Sequence, residues 1–286
     1  VCGTDNDNIY LIYDDATVAP GFPYTTGDKI QAASSIQEID GEKIIFFGSN
    51  DYSFYAIKSD GSLLFSVLTG DKVLSSPSFL EEDGQLSIFF GSNDDKIYAV
   101  DSDGNSLSGW PIEVNGSIGG SVVFADLDGD NTAEVIAATD MGDVVAFHLN
   151  GDPYPYFPIA NDFPFSGAPM TTDLDNDGDL EIVTGSGSNL FVIDIKETGS
   201  NSNYWSMFRG NVKRTGTYMP SDDTSCGAAL GDVTGDGNIN ILDLVQIANY
   251  ILNVGTPVYP CAADYTQDGN VNILDLVQIS NHILDN

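Results

Sequence analysis

Residues 48–57 read GSNDYSFYAI, and variants of this ten-residue stretch stand at four other places: GTDNDNIYLI from Gly3, GSNDDKIYAV from Gly91, ATDMGDVVAF from Ala138 and GSGSNLFVID from Gly185. The repeat length is about 45 residues, that of one four-stranded propeller blade. Around Gly48 a single period divides into SSIQEI, KIIFFGS, SFYAIK and LLFSVLT, apolar or alternating runs punctuated by Gly, Asn and Asp. Such runs predict antiparallel strands joined by hairpins. One sheet of this kind cannot bury both of its faces, so the recurrence predicts sheets packed on sheets. Helical periodicity begins only near residue 240. The expected fold class is mainly β, a propeller or propeller fragment of four-stranded antiparallel blades, followed by a small α-helical domain.

That small domain rests on a second repeat, DVTGDGNINILDLVQIANYIL from Asp232 and DYTQDGNVNILDLVQISNHIL from Asp264. Asp232, Thr234, Asp236, Asn240 and Asp243 occupy positions 1, 3, 5, 9 and 12 of a loop that turns at Gly237, and Asn238 offers a backbone carbonyl at position 7. Asp264, Thr266, Asp268, Asn270, Asn272 and Asp275 repeat the set around Gly269. Oxygen donors alternating around a glycine turn, closed by a carboxylate on the next helix, suit a hard cation such as calcium. In the helices, Ile241, Leu244, Ile247, Ala248 and Ile251 are expected to pack on Ile273, Leu276, Ile279 and Ile283. Leu242, Val245, Leu252, Leu274, Val277 and Leu284 broaden the stripe beyond what about sixty residues bury easily, which leaves a partner-facing patch.

The duplicated loop and helix resemble a type I dockerin domain, in which position 12 is Asp, as it is here. The resemblance implies paired EF-hand-like calcium loops, two nearly equivalent faces and a cohesin-like partner. In that family the residues at loop positions 10 and 11 contribute to recognition and often carry hydroxyls; here they are Ile241-Leu242 and Ile273-Leu274, an aliphatic patch that cannot replace hydroxyl hydrogen bonds, so the calcium fold is expected without the family's usual cohesin specificity. Earlier in the chain, IYAVDSDGNSLSGW resembles pyrroloquinoline-quinone-type propeller repeats, FADLDGDNTAEVIAAT and TTDLDNDGDLEIVTGS resemble FG-GAP/VCBS repeats, and WSMFRGNVKRTGTY from Trp205 resembles the close of secreted bacterial propellers. The expected division is a propeller over 1–219 with five visible repeats, a linker over 220–228 and a dockerin-like domain over 229–286.

Two propeller turns are long and acidic. Asp126, Asp128, Asp130 and Glu134, with the Thr132 backbone oxygen, form one candidate calcium loop; Asp173, Asp175, Asp177 and Glu181, with the Asp179 backbone oxygen, form the other. The corresponding turns IDGEK and EEDGQ are too short, and DSDGN from Asp101 reads as an ordinary turn.

The chain carries 43 acidic against 9 basic residues, a net charge of -34, which sets it against nucleic acid and anionic membranes and in favour of cations. No apolar stretch is long enough to span a bilayer. Val1 enters within a strand pattern, as expected of a mature or excised fragment. Cys226 and Cys261 precede the two acidic loops at matching places, so a disulfide between them and an oxidising, extracellular or cell-surface setting are expected, with Cys2 left over.

No nucleophile elbow, zinc-protease motif or phosphate-binding glycine loop is present. His148 and His282 have no catalytic residues beside them in sequence. The leading reading is a secreted, calcium-loaded, non-catalytic propeller that binds glycan or protein and docks through its terminus. A second reading is the C-terminal portion of a larger secreted hydrolase or lyase acting on polysaccharide or protein. A third is a quinone-dependent dehydrogenase, weakened because Trp110 has only Phe65 as its counterpart and because cations that could hold a quinone are few.

Overall fold

The computed structural model describes residues 1–286 apart from 83, 176, 188, 203, 212–213, 218–227, 253, 256, 258–259, 267–270 and 286, and apart from the side chains of 260, 261 and 285. The chain divides into two compact units, Val1–Tyr218 and Met219–Asn286.

The larger unit is a succession of antiparallel sheets. The first holds β1 (Cys2–Gly3), β2 (Asn8–Tyr10) and β3 (Tyr24–Thr25). The second holds β4 (Ser35–Ile39), β5 (Glu42–Gly48), β6 (Ser53–Lys58) and β7 (Leu63–Leu68). The third holds β8 (Ser78–Glu82), β9 (Gln85–Ser92), β10 (Lys96–Val100) and β11 (Ile112–Glu113). The fourth holds β12 (Val123–Ala125), β13 (Glu134–Ala138), β14 (Asp143–His148) and β15 (Ile159–Ala160), and the fifth holds β16 (Met170–Thr172), β17 (Asp179–Ser186) and β18 (Asn189–Thr198). Strands pair in chain order within every sheet, the meander of a propeller blade.

Side-chain alternation explains why the sheets stack. Ile44 to Phe47 in β5 are all buried, with Ile44 and Phe46 in one core and Ile45 and Phe47 in the next. In the fourth sheet Val135 and Ala137 join the core shared with the second and third sheets, while Ile136 and Ala138 join that of the fifth. A period of two thus places each middle sheet between two neighbours. Glycine allows the close approach of neighbouring turns: Gly21 and Gly109 have φ of 84° and 88°, and a Cβ there would collide with the Asp60 and Asn150 carbonyls of the following sheet.

Carboxylates of the GSND-type motif clasp one sheet to the next. Asp51 Oδ2 accepts from Gly27 N at 2.7 Å and Asp94 Oδ2 from Gly70 N at 2.7 Å. The segment after β18 ties leading strands together. Phe124 N donates to Trp205 O at 3.0 Å, Thr171 N to Ser206 O at 2.9 Å, and Arg209 Nη1 to Ser34 O at 2.7 Å. Trp205 is buried, its ring 5.4 Å from that of Phe79.

The smaller unit contains α1 (Ile241–Ile251), a 3-10 turn (Pro260–Ala263) and α2 (Ile273–Asp285). Its core is Val233, Ile247, Ala262, Ala263 and Ile279, with Leu244, Ile251, Leu276 and Ile283 packed against it.

Candidate calcium loops and docking face

In the β12–β13 turn, Asp126 is buried and gathers backbone donors. Its Oδ1 accepts from Gly129 N at 2.7 Å and its Oδ2 from Asn131 N at 3.0 Å, which curls the loop around one carboxylate. Asn131 adopts φ of 67°, the left-handed turn that Asn tolerates. Asp126, Asp128 and Glu134 bring ligand atoms within 4.8 Å of one another. Asp130 stays apart: Thr132 N and Oγ1 donate to its Oδ1 at 2.7 and 2.5 Å.

Glu134 is fully buried and accepts from Leu127 N at 2.8 Å. Burial pushes its carboxyl up to about 7; the Asp128 charge adds to this, while the Leu127 amide and His148 oppose it. His148 Nδ1 lies 3.1 Å from Glu134 Oε1, because β13 and β14 pair Glu134 with His148. His148, isolated in sequence, therefore belongs to the surroundings of this loop. Only the β13–β14 register reveals that neighbourhood.

The β16–β17 turn repeats the design with one substitution. Leu174 N donates to Glu181 Oε2 at 2.6 Å, matching Leu127 and Glu134. The converging set is Asp175, Asp177, Asp179 and Glu181, so the Asp179 carboxylate joins where only its backbone oxygen was expected. Asp173 lies outside this set, its Oδ2 accepting from Gly178 N at 3.2 Å. The hydrogen bond that its protonated form donates to Asp177 pushes the Asp179 carboxyl up to about 6, with burial and the Asp177 charge adding to it. Crowded carboxylates that resist ionisation are a donor set that fits a divalent cation.

In the smaller unit Asp232 Oδ2 accepts from Gly237 N at 2.8 Å and its Oδ1 from Gly235 N at 2.8 Å. Burial works to raise the Asp232 carboxyl, and these amides outweigh it, holding it below the ordinary carboxylate range. Asp236 Oδ1 accepts from Asn238 N at 2.8 Å. Thr234 Oγ1 lies 2.9 Å from Asp243 Oδ1 and 3.2 Å from Asp232 Oδ1, so the threonine at position 3 bridges the first and last carboxylates. The second loop matches: Thr266 Oγ1 lies 2.8 Å from Asp275 Oδ1 and 3.5 Å from Asp264 Oδ1. Asp268 and Asn270 lie outside the described residues, as does Cys226, and the Cys261 side chain is not described, so the expected disulfide falls there too. Cys2 is a free, exposed thiol.

Positions 9 and 12 also start the helix. Asn240 is the N-cap of α1, its side chain accepting from Leu242 N, and Asp243 accepts from Asn240 N at 2.9 Å to complete a capping box. Asn272 and Asp275 make the same bonds before α2, at 2.9 and 2.8 Å. Asp243 and Asp275 are fully buried.

The helices divide the apolar stripe in two. Ile247 and Ile279 are in the core, but Ile241 and Ile273, expected on that packed face, are each 63% exposed. They occupy the first helical position, where a side chain lies over its own loop rather than the neighbouring helix. Leu242 and Leu274 are each 57% exposed, and Val245 and Val277 are 52% and 50% exposed. Two equivalent apolar stripes are therefore open to solvent.

Residues 230–284 match the dockerin type I domain family. That segment is a type I dockerin domain, a class that binds calcium and docks to cohesins. No curated protein matches the chain. Among solved structures it is similar to BamB from Moraxella catarrhalis, at 15% identity over 67% of this chain and 57% of that one, TM-score 0.47. It is similar to BBS1N, solved in complex with ARL6DN, at 16% identity over 68% and 59%, TM-score 0.46. For the WD40 beta propeller domain of Doa1 the values are 16% identity, 68% and 60%, and a TM-score of 0.44. The chain thus spans less than two thirds of the length of each. Among the described residues no helix is long and apolar enough to cross a membrane.

Proposed function

We propose that this is an extracellular or cell-surface, non-catalytic docking protein, in which a propeller module is tethered to a cohesin-like partner by a calcium-loaded dockerin. The observation that carries the reading is the matched exposure of Ile241, Leu242 and Val245 with Ile273, Leu274 and Val277. Apolar side chains held open at the same helical positions of two repeats form two interchangeable faces, either of which fits one partner surface. A partner with an apolar centre is favoured over one that reads hydroxyls.

Calcium is the cofactor of this reading. Asp232, Thr234, Asp236, Asn238, Asn240 and Asp243 hold one ion, and Asp264, Thr266, Asp268, Asn270, Asn272 and Asp275 the other. Asp126, Asp128 and Glu134, then Asp175, Asp177, Asp179 and Glu181, hold ions in the propeller. Each ion replaces carboxylate repulsion with coordination, so its binding free energy adds to folding free energy. Affinities on the order of 0.1–1 mM suffice for an extracellular module.

The test is capture of a type I cohesin by the full chain. Capture in calcium that EDTA abolishes supports the reading; capture that persists unchanged in EDTA, or no capture in calcium, would refute it.

A further inference from the structure

The propeller repeats fill the junctions between sheets by a common device, and the junction between the third and fourth sheets departs from it. At the first junction Tyr55 donates its hydroxyl to Asp51 Oδ2 at 2.7 Å, the carboxylate that also clasps Gly27, and its ring lies 5.9 Å from Tyr24 of the first sheet. At the second, Tyr98 donates to Asp94 Oδ2 at 2.6 Å, the carboxylate that clasps Gly70, and stacks 5.1 Å from Phe90. Each slot is thus plugged by a phenol whose hydroxyl ends on a carboxylate.

At the third junction the aligned residues all change. Val145 stands where the earlier repeats have Tyr55 and Tyr98, Met141 where they have Asp51 and Asp94, Asn115 where they have Gly27 and Gly70, and Asp143 where they have Ser53 and Lys96. The ring is gone, the clasp passes to Asp140, whose Oδ1 accepts from Ser117 N at 2.8 Å, and a further carboxylate, Asp143, stands at the start of β14. A cavity of about 560 Å³ lies here, its walls including Val114, Asn115, Asp143, Val145, Phe147 and Phe157. Asp143 is 7% exposed, and its Oδ2 accepts from Asn115 Nδ2 at 2.9 Å. An ionised carboxylate has capacity for donors beyond that single amide. Cavities of this size with apolar walls and a few placed polar groups are the usual form of a small-ligand site.

We infer that the cleft between β11 and β14 is a binding site for a hydroxylated aromatic ring, which enters where Tyr55 and Tyr98 sit in the preceding repeats and donates its hydroxyl to Asp143. The walls of Val114, Val145, Phe147 and Phe157 take the ring, and Asn115 holds the carboxylate towards it. Among the described residues none that lines the cleft is basic, and Glu113 adds a second carboxylate to its wall, which disfavours anionic ligands. The site lies in the propeller and does not depend on the docking reading.

The experiment titrates p-cresol and N-acetyl-tyrosinamide into the calcium-loaded full chain, with toluene as the ring lacking a hydroxyl, and reads ligand-observed NMR. Saturable p-cresol binding is expected, at least about tenfold tighter than toluene, the factor of one hydrogen bond to a charged acceptor. Val145→Tyr restores the plug of the other repeats, so it abolishes binding while keeping the melting temperature at or above that of the parent. Asp143→Asn weakens p-cresol about tenfold or more without needing extra space, and decides the matter where Val145→Tyr fails to fold. N-acetyl-tyrosinamide binding at least as tightly as p-cresol assigns the site to a tyrosine of a partner protein; p-cresol alone assigns it to a free phenol. Absence of saturable p-cresol binding, or binding that both variants leave unchanged, overturns the inference.

Discussion

Glu134 offers a single carboxylate through which the proposed calcium site can be tested. Its carboxyl titrates near 7 in the folded chain, against an ordinary value of 4.5, with burial as the main cause. Between those pH values the native state holds a proton that the unfolded chain has released. In EDTA the stability contributed at this site is therefore greatest below about pH 4.5 and falls as pH rises through 7. On the proposed reading calcium takes the place of the proton, so the expected outcome is a propeller melting temperature that declines from pH 5 to pH 8 in EDTA and declines less in calcium. Glu134→Gln should reduce the decline in EDTA, measured by calorimetry across that range. The carboxylate spacing of the β12–β13 and β16–β17 turns was legible in sequence, because alternate residues of a tight loop point to one centre. Which members converge was not. Asp130 is withdrawn by Thr132 and Asp173 gives way to Asp179, local hydrogen-bond choices that spacing does not encode. The pairing of His148 with Glu134 was equally hidden, since it depends on the register of two strands.

Each helix of the smaller unit begins on residues that also belong to its candidate calcium loop. Asp243 completes the capping box of α1 and stands at position 12 of the first candidate calcium loop, so its loss is expected to act twice. Asp243→Ala is expected to cost at least about 1 kcal/mol in EDTA, through the lost capping-box bond to Asn240 N and the lost bonds from Thr234. It should cost more in calcium, and urea melts followed at 222 nm separate the two amounts. Leu242 and Leu274 occupy the same place in the two repeats. Leu242→Asp or Leu274→Asp alone should leave cohesin capture within about threefold, as one intact face remains, whereas the double variant should lose it, measured by calorimetric titration; the spread assumes roughly 0.6 kcal/mol between the faces. The strands of the second sheet follow the pattern of SSIQEI to LLFSVLT closely, because alternation and Gly, Asn and Asp turns are local properties. Ile241 and Ile273 went the other way. Their spacing of 3.6 placed them on the packed face, and only the way a side chain leans at a helix start returns them to solvent.

On the proposed reading the two units are expected to depend on calcium to different degrees. Among the described residues the larger buries several phenylalanine clusters, while the smaller has a core of five fully buried apolar residues. A domain of about sixty residues has little stability to spare. Titration with EDTA should therefore abolish hydrogen-exchange protection in α1 and α2 while β5 and β9 keep theirs. Simultaneous loss in both units would sink this expectation. A net charge of -34 makes the effect larger at low ionic strength, where unscreened carboxylates repel most. The stacking of sheets was legible because every period repeats one apolar pattern. The role of residues 200–216 was not, since WSMFRGNVKRTGTY has no strand-like alternation. Trp205, Ser206 and Arg209 bond to leading strands of the fourth, fifth and second sheets. During synthesis on the ribosome those strands emerge well before their partners, so the earlier blades wait with unsatisfied edges until the last stretch of the propeller is translated. The two helices follow that stretch in the chain, and are therefore made only after the residues that bond to the earlier sheets.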